Sequence, residues 1–315
     1  MTLHILEPTA GTTHRCFSRD VEPALTIAPG DTVRARTPDA SGYRRLNVLF
    51  DLDAPEISRD PNEPGSHTLC GPIAVRGAEP GDVLEVRVDT IQPGAWGWTS
   101  AGPFGAGWWL GLTEETFVGW TLDVERGLAE DTCGLGLVVP IRPFLGILGN
   151  APDEPGMHST IPPRRAGGNL DCRELVAGSA LWLPVAVEGA LFSFGDGHAA
   201  QGDGEVAGPA IEAAFDQVDL TFNLIKRRRL EWPQARTPAG FVTFGCGETL
   251  DEAMRPALAG MIAHLQEAYD LSKYHAVALA TATVSLRVTQ IVNGTVGVHA
   301  LLPTDAFRRE PRAGG

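Results

Sequence analysis

Glu79-Pro80-Gly81-Asp82-Val83-Leu84-Glu85-Val86-Arg87-Val88-Asp89-Thr90-Ile91 reads as a tight turn running into an amphipathic strand. Proline presets φ at the first central turn position, and glycine accepts positive φ at the next. Apolar and polar residues then alternate, the period of a half-buried strand. The same punctuation recurs at Pro29-Gly30-Asp31, between apolar runs at 24–27 and 32–35. Two short matches are an echo and do not establish a repeat. Residues 73–75, 116–122, 181–194 and 218–232 have the β-branched and aromatic content of further strands. With 37 glycines and 24 prolines between such runs, the chain is expected to be mainly β.

Helical signals gather after residue 249. Thr249 is placed to cap a helix over 250–268, with Glu252 three residues on as its capping-box partner. A second helix is expected from Ser272 to about 282. Residues 284–291 and 295–302 read as a strand pair joined by Asn293-Gly294, and 308–315 as a loose tail. The expected portions are 1–140 and 141–248, both β, and 249–315 with two helices and a hairpin. The glycine-rich stretch 94–111 holds Trp96, Trp98, Trp108 and Trp109. Tryptophan favours contact over exposure, so this stretch is read as a subunit interface in preference to a lid.

The 315 residues are 43% hydrophobic, enough for a substantial core, and carry a net charge of -14 from 39 acids and 25 bases. That balance repels phosphate backbones and anionic lipid, so nucleic acid and membranes are excluded as partners. The basic run Lys226-Arg227-Arg228-Arg229 is read as a solvated strand or an oligomer contact. Cys16, Cys70, Cys133, Cys172 and Cys246 are odd in number and widely spaced, which argues against a disulfide framework and a cysteine-rich zinc site. Neither a leader peptide nor an apolar run near the ~20 residues of a membrane span is evident, so a cytoplasmic protein is expected.

Chemistry-bearing residues concentrate between 167 and 205. Gly167-Gly168-Asn169-Leu170-Asp171 is followed by an apolar run at 180–194, read as a buried strand or hairpin. Then comes Gly195-Asp196-Gly197-His198-Ala199-Ala200-Gln201-Gly202-Asp203-Gly204-Glu205. An imidazole among carboxylates suits a catalytic zinc with an open position, or a harder cation such as calcium. The plainer alternative is a polar turn with internal Asx hydrogen bonds. Covalent mechanisms fare badly by count. The only lysines are Lys226 and Lys273, and neither a G-x-S-x-G elbow nor a phosphate loop is present. Cys172 reads as a small buried hydrophobe. Water activated by a metal is the remaining nucleophile.

The segments Gly167 to Asp171 and Gly195 to Glu205 resemble the signature region of the acetamidase/formamidase family. So do Gly71-Pro72-Ile73 with Gly77-Ala78-Glu79-Pro80-Gly81-Asp82, Pro143-Phe144-Leu145-Gly146, and Thr289-Gln290-Ile291-Val292 with Gly297-Val298-His299-Ala300. The resemblance covers residues 12–307 in order. It implies a mainly β fold with sandwich- or barrel-like portions and a smaller C-terminal α+β portion. It also implies hydrolysis of formamide, acetamide or a related small amide to ammonia and a carboxylate, in a homo-oligomer. Cys70 in place of threonine, and Arg15 and Phe17 after His14, depart from the family. They motivate a lactam or urea-like substrate, or an inactive metal-binding member, as alternatives.

The expected site takes Asp171, Asp196 and His198 as metal ligands, zinc first and calcium second. Glu205, Asn169 and Asp203 are the catalytic candidates: Glu205 or Asp203 as general base, and Asn169 at the oxyanion. Gln201, Gly202 and His67 are assigned to the substrate. Ligand and base stay interchangeable within the cluster at this level.

Overall fold

The computed structural model describes residues 1–42, 62–308 and 311. The Pro-Gly-Asp turns act as local punctuation. Gly30 and Gly81 take φ of 91° and 92°. In each turn the aspartate closes a loop onto the residue three before it: Ala28 N–H donates to Asp31 at 3.1 Å and Glu79 N–H to Asp82 at 2.9 Å. Strands Thr32–Thr37 and Val83–Pro93 leave these turns with alternating burial.

Both strands join a nine-stranded sheet. From edge to edge it runs Leu3–Leu6, Thr32–Thr37, Phe215–Ile225, Val83–Pro93, Ala180–Pro184, Gln234–Thr237, Gly240–Gly247, Val296–Pro303 and Ser285–Gln290. A second sheet of eleven strands is built around Phe192–Ala200. That strand pairs with Phe144–Gly149 on one side, and with Ile211–Glu212 and Leu69–Val75 along the other. Trp96–Ala101, Thr116–Asp123, Leu128–Asp131 and Val138–Pro140 extend this sheet beyond Ile211–Glu212, and Gly167–Asn169 closes it next to Phe144–Gly149.

The two sheets bury one apolar core. Leu84, Val86, Val88, Leu220 and Phe222 come from the first, and Leu145, Leu148, Phe192 and Phe194 from the second. Phe192 and Phe222 meet edge-to-face at 5.3 Å. Full burial of each such side chain contributes roughly 1.5–3 kcal/mol. The apolar run 180–194, expected as one strand or hairpin, is neither. Ala180–Pro184 lies in the nine-stranded sheet and Phe192–Ala200 in the other. The chain crosses between sheets near Ala190 and Leu191, both at positive φ. Both strands face the shared core, so hydropathy stays high across the crossing.

The protein is mainly β with two longer helices after residue 249, as expected. Helix α1 is the unexpected Ala106–Leu110, five residues long. Helix α2, Leu250–Tyr269, starts at a complete Thr249/Glu252 capping box, and α3, Lys273–Thr283, is capped by Ser272. Ala253, Ala257, Met261, Leu265 and Ala268 recur at helical spacing. They bury one face of α2 against Gly240–Gly247 and Val296–Pro303. The nine-stranded sheet draws strands from all three expected portions, and the eleven-stranded sheet from the first two. None of the five cysteines forms a disulfide. No helix among the described residues is long and apolar enough to cross a membrane.

Candidate functional site

Strand Phe192–Ala200 is buried along almost its whole length, yet it carries Asp196 and His198. Burying charge unpaired is costly, so partners are required, and neighbouring segments supply them. Asp171 follows strand Gly167–Asn169, and Glu205 lies midway along the loop between Phe192–Ala200 and Ile211–Glu212. Glu212 arrives on Ile211–Glu212, directly opposite His198 in the register. Asp171, Asp196, His198, Glu205 and Glu212 are each at most 7% exposed.

His198 is the hub. Its Nε2 lies 3.1 Å from Glu212 Oε1 and 3.4 Å from Asp196 Oδ1. Its Nδ1 is 3.0 Å from Gln201 Oε1 and 4.0 Å from Asp171 Oδ1. Gln201 Nε2 donates to the Asp171 carbonyl at 2.8 Å, which fixes that amide's orientation. Gln201 Oε1 is therefore an acceptor, Nδ1 carries the proton, and Nε2 faces the two carboxylates. Asn293 Nδ2 donates to Asp171 Oδ2 at 2.6 Å.

The electrostatics follow from this crowding. Burial disfavours charge on His198, but Glu212 and Asp196 outweigh it and hold the imidazole pKa well above its ordinary value. Burial, then the Asp196 charge, pushes the Asp171 carboxyl up. Burial and Asp171 likewise push Glu205 well up. Burial raises Glu212 as well, against the pull of His198. Asp196 goes the other way: burial opposes its charge, but His198 and His67 hold it low, to about 2. Carboxyls driven apart in this manner are what acid–base chemistry at neutral pH needs.

Backbone strain marks the same residues. Asp171, Asp196 and Glu205 adopt φ of 48°, 59° and 46°, the left-handed region, at a cost of roughly 1–3 kcal/mol each. Gly146, on the neighbouring strand Phe144–Gly149, allows the acids to converge. A Cβ there would fall 2.6 Å from Asp196 Oδ2, 2.7 Å from Asp171 Oδ1 and 2.8 Å from His198 Cε1.

The cluster lies on the wall of a cavity of about 700 Å³. Asp196, His198, Glu205 and Glu212 line it with Asn169, Asn293 and His67, and Trp98, Phe104, Phe117, Ile161 and Val292 supply apolar wall. Asn169 donates Nδ2 to Ile161 O and leaves Oδ1 buried without a partner. His67 hydrogen-bonds Thr160 at 3.0 Å. Trp98 and Phe104 belong to the glycine-rich stretch expected at an interface. Its inner residues meet the cavity, while Trp108 and Trp109 are 76% and 66% exposed.

The structure brings together the expected Asp171, Asp196, His198 and Glu205, with Asn169 and His67 near them. Gln201 sits behind the cluster, holding His198 and Asp171. Asp203 and Gly202 face a neighbouring cleft that shares Glu205 with the cavity, and the Asp203 carboxylate is bound to Arg287 at 2.7 Å. Sequence reasoning missed Glu212 and Asn293. A lone acid in the apolar run Ala210-Ile211-Glu212-Ala213-Ala214 was the available signal for the first. Asn293 was read purely as turn chemistry.

A divalent cation fits these residues. Asp171 Oδ1, Glu205 Oε2 and Glu212 Oε2 are buried oxygens with no hydrogen-bond partner, which natural interiors rarely tolerate. Two triads, Asp171–His198–Glu205 and Asp196–His198–Glu212, bring donor atoms within 4.8 Å of one another. Mixed imidazole and carboxylate donors suit zinc and related ions.

Comparison with known proteins gives a consistent picture. The sequence profile of the Acetamidase/Formamidase family matches residues 5–159 and 155–309. An acetamidase of Bacillus halodurans is 30% identical, with a TM-score of 0.80 over 95% of this chain and 97% of that one. An acetamidase/formamidase of Thermoanaerobacter tengcongensis is 28% identical, with a TM-score of 0.82 over 96% of both chains. The acetamidase of Mycolicibacterium smegmatis is 27% identical over 68% of this chain. The chain spans 59–66% of the length of the curated relatives it matches.

Proposed function

The chain belongs to the acetamidase/formamidase family, and we propose that it hydrolyses a small aliphatic amide, of the formamide or acetamide kind, to ammonia and a carboxylate. The observation that carries this reading is the buried Asp/His/Glu cluster on the wall of the cavity. Its carboxyl pKa values are split and several of its oxygens lack partners. The names of the similar proteins support the reaction class.

Asp196, His198 Nε2 and Glu212 would hold a divalent cation, with zinc the first choice for that donor set. The Gln201 hydrogen bond to Nδ1 gives His198 the orientation of a ligand steadied from behind. Such a cation supplies Lewis-acid polarisation of the amide carbonyl and acidification of water. Asp171 and Glu205, whose pKa values are raised, act as the proton relay. Glu205 takes a proton from water as the new C–O bond forms, and returns it to nitrogen as the C–N bond breaks. The unpartnered Asn169 Oδ1 accepts from the substrate NH₂ group and so orients the amide. The apolar cavity wall lowers the local dielectric, which strengthens each of these interactions. Asp203, whose carboxylate is bound to Arg287, is not the base in this reading. The exposed Trp108, Trp109 and Leu110 support the expected homo-oligomer; a monomer in sedimentation at micromolar concentration would remove that part.

Glu212→Gln keeps size and removes charge. We expect ammonia release from formamide and acetamide to fall at least 10–100-fold, the loss usual for a group supporting a metal site, with the fold retained. Activity within twofold of wild type would take Glu212 out of the reaction. Hydroxylamine added to the acetamide reaction checks the nucleophile. Direct attack by water yields acetate, whereas efficient hydroxamate formation would reveal an acyl-enzyme and overturn the water mechanism.

A further inference from the structure

Arg287 lies on Ser285–Gln290, an edge strand of the nine-stranded sheet, and does not line the cavity. Its guanidinium nevertheless spans both loops that carry the site acids. Nε and Nη2 each reach Asp203 Oδ2 at 2.7 Å, and Nη1 donates to Glu174 Oε1 at 2.6 Å. Glu174 lies three residues after Asp171, and Asp203 two residues before Glu205. Glu174 is 1% exposed, so its charge needs this partner; Arg142, at 3.6 Å, is the more distant second cation.

The same strand holds one loop through its backbone. Gly204 N–H donates to Thr289 O at 3.1 Å, and Ile291 N–H donates to Gly204 O at 3.0 Å. Asn293, just beyond, reaches Asp171 directly. Asp171 and Glu205 occupy left-handed backbone conformations, which persist only where surrounding contacts over-determine them. Arginine reaches two carboxylates at once from separate nitrogens of a planar fork, whereas lysine must do so from a single atom.

We infer that Arg287 is a positioning residue for the proposed hydrolysis: by clamping Glu174 and Asp203 together, it sets the separation of Asp171 and Glu205 across the site. The inference rests on the functional reading above for its effect on turnover, and on geometry alone for its effect on the loops.

The test compares Arg287→Met and Arg287→Lys with wild type. In Arg287→Met, amide hydrogen exchange should accelerate in 170–175 and 201–206 while α2 stays protected. The kcat for formamide or acetamide should fall about 10–100-fold, as for other groups acting behind a site, and KM should change less than about threefold. Arg287→Lys restores the charge but offers one nitrogen in place of the fork, so it should recover part of the exchange protection and part of kcat. Unchanged exchange in both loops would overturn the inference, as would a kcat within twofold of wild type. If Arg287→Met does not fold, Asp203→Asn, which releases one arm only, should still loosen 201–206 but not α2, and its failure to do so would be equally decisive. If wild type itself hydrolyses no amide, the functional reading fails and the exchange data alone decide the clamp.

Discussion

Gly146 has no side chain, and the site leaves room for none. A Cβ would press into Asp196, Asp171 and His198 at 2.6–2.8 Å, so Gly146→Ala must move the acids or its own strand. Overpacking of this kind costs typically 1–3 kcal/mol. Denaturant unfolding should show that loss, and turnover should fall at least tenfold. The control is Gly202→Ala, where a Cβ meets nothing within 4 Å. It should leave both measurements near wild type, although sequence reading assigned Gly202 to the substrate. Pro143-Phe144-Leu145-Gly146 stood out in the sequence as a resemblance, but no local rule gives the reason for its glycine. That reason is three side chains arriving from distant segments. His198, among acids and glycines, was legible for the opposite reason: its neighbours in sequence are also its neighbours in space. Glu212 was not, because its partner His198 faces it only across paired strands.

Elements were legible where their signals are local. The two Pro-Gly-Asp turns, the Asn293-Gly294 turn and the caps of α2 and α3 each depend on residues within four positions, and each lies close to where it was expected. Thr249 tests this directly. Its hydroxyl accepts from Glu252 N–H while the Glu252 carboxylate accepts from Thr249 N–H. Thr249→Ala should cost about 1 kcal/mol in chemical denaturation without affecting turnover. A change below about 0.3 kcal/mol would mean that packing of α2 holds its first turn without the cap. The crossing at 184–192 was illegible because a shared core gives the strands of both sheets the same apolar surface. Sheet membership is a long-range property that hydropathy does not record. Helix α1 was missed because its five residues are too few for apolar spacing to repeat; the pattern needs about 11–18.

The whole molecule buries histidines that its core needs uncharged. Burial lowers His14 and His299 to about 4. His299 is fully buried, with Nδ1 on Thr289 and Nε2 without a hydrogen bond, 3.7 Å from the Glu174 carboxylate, whose charge only partly offsets burial. A folded pKa below the unfolded value of 6.5 means that the unfolded chain takes up the proton first. The stability contributed by neutral His299 is therefore present above pH 6.5 and lost as pH falls toward 4, by on the order of 3 kcal/mol. The cavity carboxyls, raised by burial, act in the opposite sense, so the whole-chain pH curve mixes both signs. The difference between wild type and His299→Gln isolates the imidazole: the wild-type margin in urea unfolding should shrink steadily from pH 7 to pH 4. A margin that stayed constant would mean that His299 titrates normally. Catalysis would bind the molecule more tightly still, since Asp171, the stretch from Asp196 to Glu212 and Asn293 of the C-terminal hairpin must converge on one cluster. The most direct measurement is ammonia release from formamide, acetamide and propionamide by the purified chain, before chelator treatment, after it, and after zinc is restored. The account predicts release from at least one amide, loss on chelation, and recovery with zinc in wild type but not in His198→Ala. Full activity in the metal-stripped protein, or undiminished activity in His198→Ala, would contradict it.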